Sequence, residues 1–293
     1  MIDLHMHSTV SDGSLTPEAL AQHCAEAGLS AAALTDHDTM DGCLRFLNAC
    51  GLCGVEGVAA VELSAEFSPG TMHILGYLPS SAIEGMQADL VQIQESRALR
   101  NTSILEALDA LGLPVSAEEV ESLAGEGVTG RPHIALAMEQ RGYVRSREEA
   151  FSRYLGKGCP AYRDRYRLSP PDCVALINGY GGAAVLAHPF TLRLSLSKLT
   201  TLFDDLAEAG LSGVEVLYPE HSEERRAVYR ALARERGLIE TGGSDFHGRL
   251  NPSILIGRGF GNVAVPDGVL DALKGRMLGK DAVWAHTGGE EGP

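Results

Sequence analysis

The segment Ile2-Asp3-Leu4-His5-Met6-His7 decides how the chain is read. It predicts a strand over residues 2–7, and side chains two apart on a strand share a face, so His5 and His7 can reach one metal ion from the strand's end. Directly downstream, Thr16-Pro17-Glu18 opens a helix, with Thr16 suited to the N-cap and Pro17 to the first helical position. Strands follow over 31–35, 55–63 and 72–77, with a helical segment between the first two of these. This rhythm predicts a parallel, barrel-like α/β layout.

The strand signal stops between 83 and 167, where helical periodicity runs over 87–111, 117–123, 133–140 and 148–154. That stretch reads as an inserted helical subdomain, a cap, with a barrel built from 1–82 and 168–286 and a flexible tail over 287–293. Nine basic residues stand against four acidic ones between 131 and 167, opposing the net charge of −15 of the whole chain. Alternation then resumes, with Ser169 capping a helix that starts at Pro170, strands over 183–187, 213–217 and 238–241, and helices over 199–209 and 223–236.

With 293 residues, 44% apolar and 22% charged, the chain can bury one large core. Its apolar runs fall far short of the roughly 20 residues that span a bilayer, and no membrane association is expected. The amino terminus lacks the basic region and apolar run of a secretory signal, so a cytoplasmic location and reduced cysteines are expected. Cys50 and Cys53 form a CxxC without a second pair, which supports neither a zinc ribbon nor a redox motif. The acidic balance argues against a surface that coats nucleic acid, since such surfaces need clustered cations. A small anionic substrate remains compatible, because bound divalent ions reverse the local field. No protein partner is implied.

The chemistry lies at the strand ends. Asp12 occupies the turn after the first strand, Thr35-Asp36-His37-Asp38 ends the second, and Glu62 ends the third. His73, Ala187-His188-Pro189 and Ser244-Asp245-Phe246-His247 lie in or just after further strands, so six histidines and three carboxylates converge on the end where barrel enzymes place their sites. A lone histidine is more often structural; repetition at equivalent positions points to a metal centre. Zinc, manganese and iron all suit such mixed ligands. Asp36 is expected to orient an imidazole, and Asp38 either does the same or caps the following helix. His23 and His286 are assigned to structure or solvent.

These residues resemble the polymerase and histidinol phosphatase (PHP) domain family in His5-x-His7 with Asp12, Thr35-Asp36-His37-Asp38, Glu62, His73, His188 and Asp245-x-His247. The resemblance implies a distorted (β/α)7 barrel, amidohydrolase-like, carrying three divalent ions, most often Mn2+ with Zn2+ or Fe2+ as alternatives. It implies His5, His7, Glu62 and Asp245 as ligands of a first ion and Asp12, His37 and His247 of a second. His73 and His188 would hold a third, reached by Glu62. It also makes Asp12, His37, Glu62, Asp245 and His247 the catalytic set, and no ligand position is missing.

Subfamily resemblance comes from Arg97-Ala98-Leu99-Arg100-Asn101, Thr129-Gly130-Arg131-Pro132-His133-Ile134-Ala135 and Tyr154-Leu155-Gly156-Lys157-Gly158-Cys159-Pro160-Ala161-Tyr162. These are similar to stand-alone phosphoesterases that remove the 3'-phosphate of nucleoside 3',5'-bisphosphates, with relatives that trim short 5'-phosphorylated RNA or DNA ends. Arg131 and Lys157, each in a Gly-rich turn, are expected to bind a second phosphate, although most basic residues of the insertion read as solvated helix charges. Asn101 and His221 complete the expected substrate contacts, with His133, which either contacts substrate or caps a helix. The competing readings are a histidinol phosphate phosphatase, a metal-dependent amide hydrolase and a non-catalytic PHP module.

Overall fold

The computed structural model describes residues 1–125 and 127–277. The end of the expected barrel over 278–286, with His286, and the expected tail over 287–293 lie outside the described residues.

Seven strands form one sheet in the order β1 (Ile2–Asp3), β2 (Ala31–Leu34), β3 (Glu56–Ala65), β4 (Met72–Leu78), β5 (Ala183–Leu186), β6 (Gly213–Leu217) and β7 (Ile239–Gly242). The sheet is nearly closed into a barrel. The chain beyond β1 meets the chain beyond β7, with Asp245 N–H donating to His5 O at 2.8 Å and His7 N–H to Phe246 O at 2.9 Å. Helices α1 (Pro17–Glu26), α2 (Cys43–Cys53), α3 (Ile83–Ala110), α4 (Ala117–Ala124), α5 (Arg131–Gln140), α6 (Arg147–Ala150), α7 (Pro170–Gly179), α8 (Leu196–Glu208), α9 (Glu223–Glu235) and α10 (Gly268–Arg276) accompany it. The expected caps are in place, Thr16 Oγ1 accepting from Ala19 N–H at 3.2 Å and Ser169 Oγ from Asp172 N–H at 3.3 Å.

One direction departs from the parallel layout. β4 runs antiparallel to both β3 and β5, while the other neighbouring pairs are parallel. The reason is the connection over residues 66–71, which is long enough for a hairpin and too short for the dozen or more residues of a parallel crossover. His73 therefore lies near the start of its strand, and the reversal brings it to the end of the barrel where the other strands finish.

Strand periodicity sorts the core. On β2, Ala31 and Ala33 face the barrel interior with Leu75, Tyr77 and Val185, whereas Ala32 and Leu34 pack outward with Leu20 and Phe46 of α1 and α2. On β3, Val58 and Ala60 face inward, and the same alternation carries Glu62 to the interior at the site end. α3 to α6 and a π-helical stretch, Phe151–Leu155, enclose a separate cluster around Ile104, Leu108, Ile134 and Met138. No helix of the described residues is long and apolar enough to cross a membrane. All six cysteines are free thiols.

Candidate metal centre

Glu62 stands at the middle of the site. It is 1% exposed. One carboxylate oxygen lies 3.3 Å from His5 Nε2, 3.2 Å from His7 Nε2 and 3.0 Å from His37 Nδ1, and the other lies 2.7 Å from His73 Nδ1 and 2.9 Å from His188 Nε2. Asp245 Oδ1 lies 3.3 Å from His5 Nε2 and 3.1 Å from His7 Nε2. Asp12 approaches His247 Nε2 at 3.3 Å and His37 Nε2 at 3.8 Å. All nine predicted ligands thus meet at one end of the barrel.

The donor set fits divalent ions. Among the described residues, His5 Nε2, His7 Nε2, His37 Nδ1, Glu62 Oε2 and Asp245 Oδ1 are buried atoms without a hydrogen-bond partner, where interiors ordinarily satisfy such groups. A tetrahedral site with bonds of 2.0–2.1 Å has donor–donor edges of roughly 3.3–3.4 Å. The four His–carboxylate separations around His5, His7, Glu62 and Asp245 span 3.1–3.3 Å. Donor atoms also cluster as His7, Asp12, His37 and His247, and as His37, Glu62 and His73. The third group differs from the expected set in that His37 joins Glu62 and His73, while His188 contacts the same Glu62 oxygen as His73.

Local backbone serves this convergence. Asp38, His188 and Asp245 adopt positive φ of 55°, 24° and 53°, a region costing non-glycine residues about 1–3 kcal/mol each. Gly243 lets the chain beyond β7 lie against the chain beyond β1, since a Cβ there would sit 2.3 Å from the Cβ of His5.

Charge follows the same logic. Burial opposes ionisation of Asp12, Glu62 and Asp245, yet the surrounding imidazoles hold all three well below the usual carboxylate range. Burial likewise disfavours imidazolium, but Asp245 and Glu62 outweigh it and push His7 up to about 10. His37, where burial wins, falls to about 3. Ligation must replace protons on His7. Adding Mn2+ to chelator-stripped protein at pH 7 is therefore expected to release protons, and affinity should rise with pH, as calorimetry in buffers of different ionisation enthalpy can read. The metal-free chain should behave oppositely. Stabilisation from protonated His7 is complete below its unfolded value of roughly 6.5 and is lost as pH rises toward about 10.

Neighbouring residues depart from two expectations. Among the described residues Asp36 hydrogen-bonds no imidazole directly; it accepts from Ser8 N–H at 2.8 Å and Ser11 Oγ at 2.6 Å, and Ser11 Oγ lies 3.5 Å from His7 Nδ1. Asp38 neither orients an imidazole nor caps α2, whose N-cap is Gly42. Its carboxylate accepts from Ser64 N–H at 2.8 Å, from Arg165 at 2.8 Å and from Arg97. Arg97 comes from α3 and Arg165 from the irregular segment before α7, and both meet Asp38 one residue from His37.

Arg97 and Arg165 belong to a larger group that sequence reading did not assemble. Burial and then the repulsion of Arg97, Arg131, Arg165 and Arg167 pull the pKa of Arg100 down. Arg97 Nε is buried without a hydrogen-bond partner among the described residues. Arg131 donates to Leu155 O at 3.2 Å and lies over the rings of Phe151 and Tyr162. The cluster adjoins the His and carboxylate centre through Asp38 and through His133, whose charge state senses both Asp12 and Arg97.

The other predicted substrate contacts divide. Asn101 donates to Thr129 O at 2.8 Å and accepts from Arg100 Nε at 3.0 Å, which orders the turn before Arg131. His133 Nδ1 accepts from Gly130 N–H at 3.1 Å at the start of α5. His221 is buried, donates from Nδ1 to Val216 O at 3.0 Å, and is held neutral by burial, its pKa falling to about 4. Lys157 is exposed. His23 is half exposed beside Glu26 and lines a separate cavity of about 570 Å³ with Phe246 and Leu255. Glu215 and Tyr218 were missed. Glu215 Oε1 lies 3.1 Å from His5 Nδ1, and Tyr218 donates to Asp245 Oδ2 at 2.8 Å.

Comparison with known proteins agrees with this geometry. The PHP domain model matches residues 3–152. The chain is 32% identical over 247 residues to a 3',5'-nucleoside bisphosphate phosphatase of Chromobacterium violaceum, covering 84% of this chain and 87% of that protein. It is 33% identical over 258 residues to the 5'-3' exoribonuclease Rnm of Escherichia coli K12, covering 87% and 88% respectively. A solved amidohydrolase from Chromobacterium violaceum with bound sulfate superposes with a TM-score of 0.82 at 30% identity, covering 94% of this chain and 97% of that one. The chain belongs to the PHP domain family and is a metal-dependent phosphoesterase of that family.

Proposed function

We propose that the protein hydrolyses the 3'-phosphate of nucleoside 3',5'-bisphosphates, yielding a nucleoside 5'-phosphate and orthophosphate. One observation carries this reading: a buried arginine cluster in the insertion adjoins the carboxylate and imidazole centre through Asp38. Two anion-binding environments side by side suit a substrate with two phosphates. The bisphosphate phosphatase among the relatives supports the same class.

His5, His7, Glu62 and Asp245 would hold one divalent ion, and Asp12, His37 and His247 a second. His73, His188 and the second oxygen of Glu62 would hold a third. Mn2+ is the proposed ion, and Zn2+ or Fe2+ suits the same donors. Such ions supply an activated water and neutralise charge on the phosphoryl oxygens. The protein's own part is to aim the ligands and to hold the far phosphate with Arg131 and its neighbours, with Lys157 reaching it from the rim and Asn101 and His133 ordering the turn between. His221, neutral and buried, is proposed to approach the leaving group. Short 5'-phosphorylated oligonucleotides present the same terminal phosphate and are proposed as secondary substrates, in keeping with the exoribonuclease relative. A cytoplasmic location is proposed with this chemistry.

A histidinol phosphate phosphatase would need to accommodate a cationic alcohol, which the arginine cluster opposes. A non-catalytic module would have no need of nine ligands in register. Phosphate release from adenosine 3',5'-bisphosphate, histidinol phosphate, adenosine 3'-monophosphate and a short 5'-phosphorylated RNA, with Mn2+ present, tests the assignment. The bisphosphate should be the preferred substrate, and preference for histidinol phosphate would overturn the reading. Arg131→Ala should raise KM for the bisphosphate about 10- to 100-fold, as loss of a charged hydrogen bond implies, and leave the 3'-monophosphate nearly unchanged. Lys157→Ala should act in the same direction.

A further inference from the structure

We propose that Glu215 is a positioning residue that sets the tautomer of His5 and the backbone of His188, aiming two ligands with one carboxylate. The inference rests on the metal-centre reading above. Glu215 is the sole acid in the apolar strand β6 and is fully buried. It belongs to none of the donor clusters, so its place in an apolar strand is not explained by ligation. Both of its oxygens are instead committed to ligand residues. Oε1 lies 3.1 Å from His5 Nδ1, and Oε2 accepts from His188 N–H at 2.8 Å.

With Oε2 taken up by the His188 N–H, Oε1 faces Nδ1 of His5, and in the proposed arrangement it accepts from a proton on that nitrogen. That leaves the Nε2 lone pair directed at Glu62 and Asp245, where the nitrogen has no hydrogen-bond partner among the described residues. The second oxygen restrains His188 at φ 24°, a conformation that non-glycine residues adopt only when held. The two rings stack with centroids 5.6 Å apart and planes inclined by 25°, so a shift in one is transmitted to the other.

Glutamine at this position has nearly the same volume but one acceptor and one donor. If its oxygen keeps the His188 N–H, its amide faces His5 Nδ1 and forces the proton to Nε2, where it blocks ligation. If its oxygen keeps His5, the amide opposes the His188 N–H and the strained turn is released. Either orientation removes one ligand while leaving the fold intact.

Glu215→Gln and the wild type are stripped with chelator, and binding of Mn2+ is measured by equilibrium dialysis with elemental analysis. Nitrogen-15 spectra of the Zn2+-loaded wild type report which His5 nitrogen carries a proton. The wild type should show a proton on Nδ1, and the variant should bind its weakest-held ion about 10- to 100-fold less tightly, the usual effect of removing such a supporting carboxylate. Wild-type affinity in the variant overturns the proposal, as does a wild-type His5 whose Nδ1 carries no proton, a result that does not depend on the variant folding. A wild type that binds no ion at all overturns the metal-centre reading itself.

Discussion

Glu62→Gln is expected to lower kcat/KM for phosphate release by roughly a thousandfold or more, because several kcal/mol of charge stabilisation are removed and each 1.36 kcal/mol is tenfold. The magnitude follows from position. Five imidazole nitrogens lie within 2.7–3.3 Å of its two oxygens, and one carboxylate is shared by two of the three donor groups. Glutamine preserves volume and can keep one hydrogen bond, which leaves the far-ultraviolet circular dichroism unchanged. Metal content after dialysis should fall together with turnover. Wild-type activity in a variant of unchanged fold would mean that the centre does not depend on Glu62.

Asp38→Asn is expected to destabilise the protein by about 3–5 kcal/mol, the usual consequence of breaking a buried ion pair on one side. Arg97, Arg165 and Asp38 are all largely buried, and the substitution leaves two guanidinium groups without their shared counter-charge. The melting temperature should drop by roughly 6–20 °C. Burial alone would raise the Asp38 pKa, but Arg97 and Arg165 more than offset it and hold the carboxyl well below its ordinary value. Its stabilisation is therefore present above the unfolded pKa of about 3.9 and is lost as pH falls through the lower folded value. The gap in melting temperature between wild type and variant should accordingly be constant near neutrality and narrow under strong acid. A gap that does not depend on acid would assign the loss to packing. Because both arginines belong to the cluster proposed to face the second phosphate, the variant should also lose preference for the bisphosphate before it loses activity toward a monophosphate.

Much of this was legible in the chain because strand periodicity is local. His5 and His7 share a face, Glu62 continues the inward alternation of Val58 and Ala60, and Thr16 and Ser169 cap helices as their residue types predict. The direction of β4 was not read, although the short connection over residues 66–71 held the signal, since a crossover does not fit in it. Glu215 was also readable in principle, as a single polar side chain within Gly213-Val214-Glu215-Val216-Leu217 that burial leaves in need of a partner. The arginine cluster was not. Its members come from α3, the start of α5 and the segment leading back to the barrel, and only the tertiary fold brings residues 97, 100, 131, 165 and 167 together. Asp38 was misassigned for the same reason, because its partners lie 59 and 127 residues away along the chain.

The most direct test is an anomalous difference map at the manganese edge from crystals of the protein loaded with Mn2+. Peaks should fall between His5, His7, Glu62 and Asp245 and between Asp12, His37 and His247, with a further peak beside His73 and His188. Fully loaded crystals with no peak among these nine side chains would contradict the account.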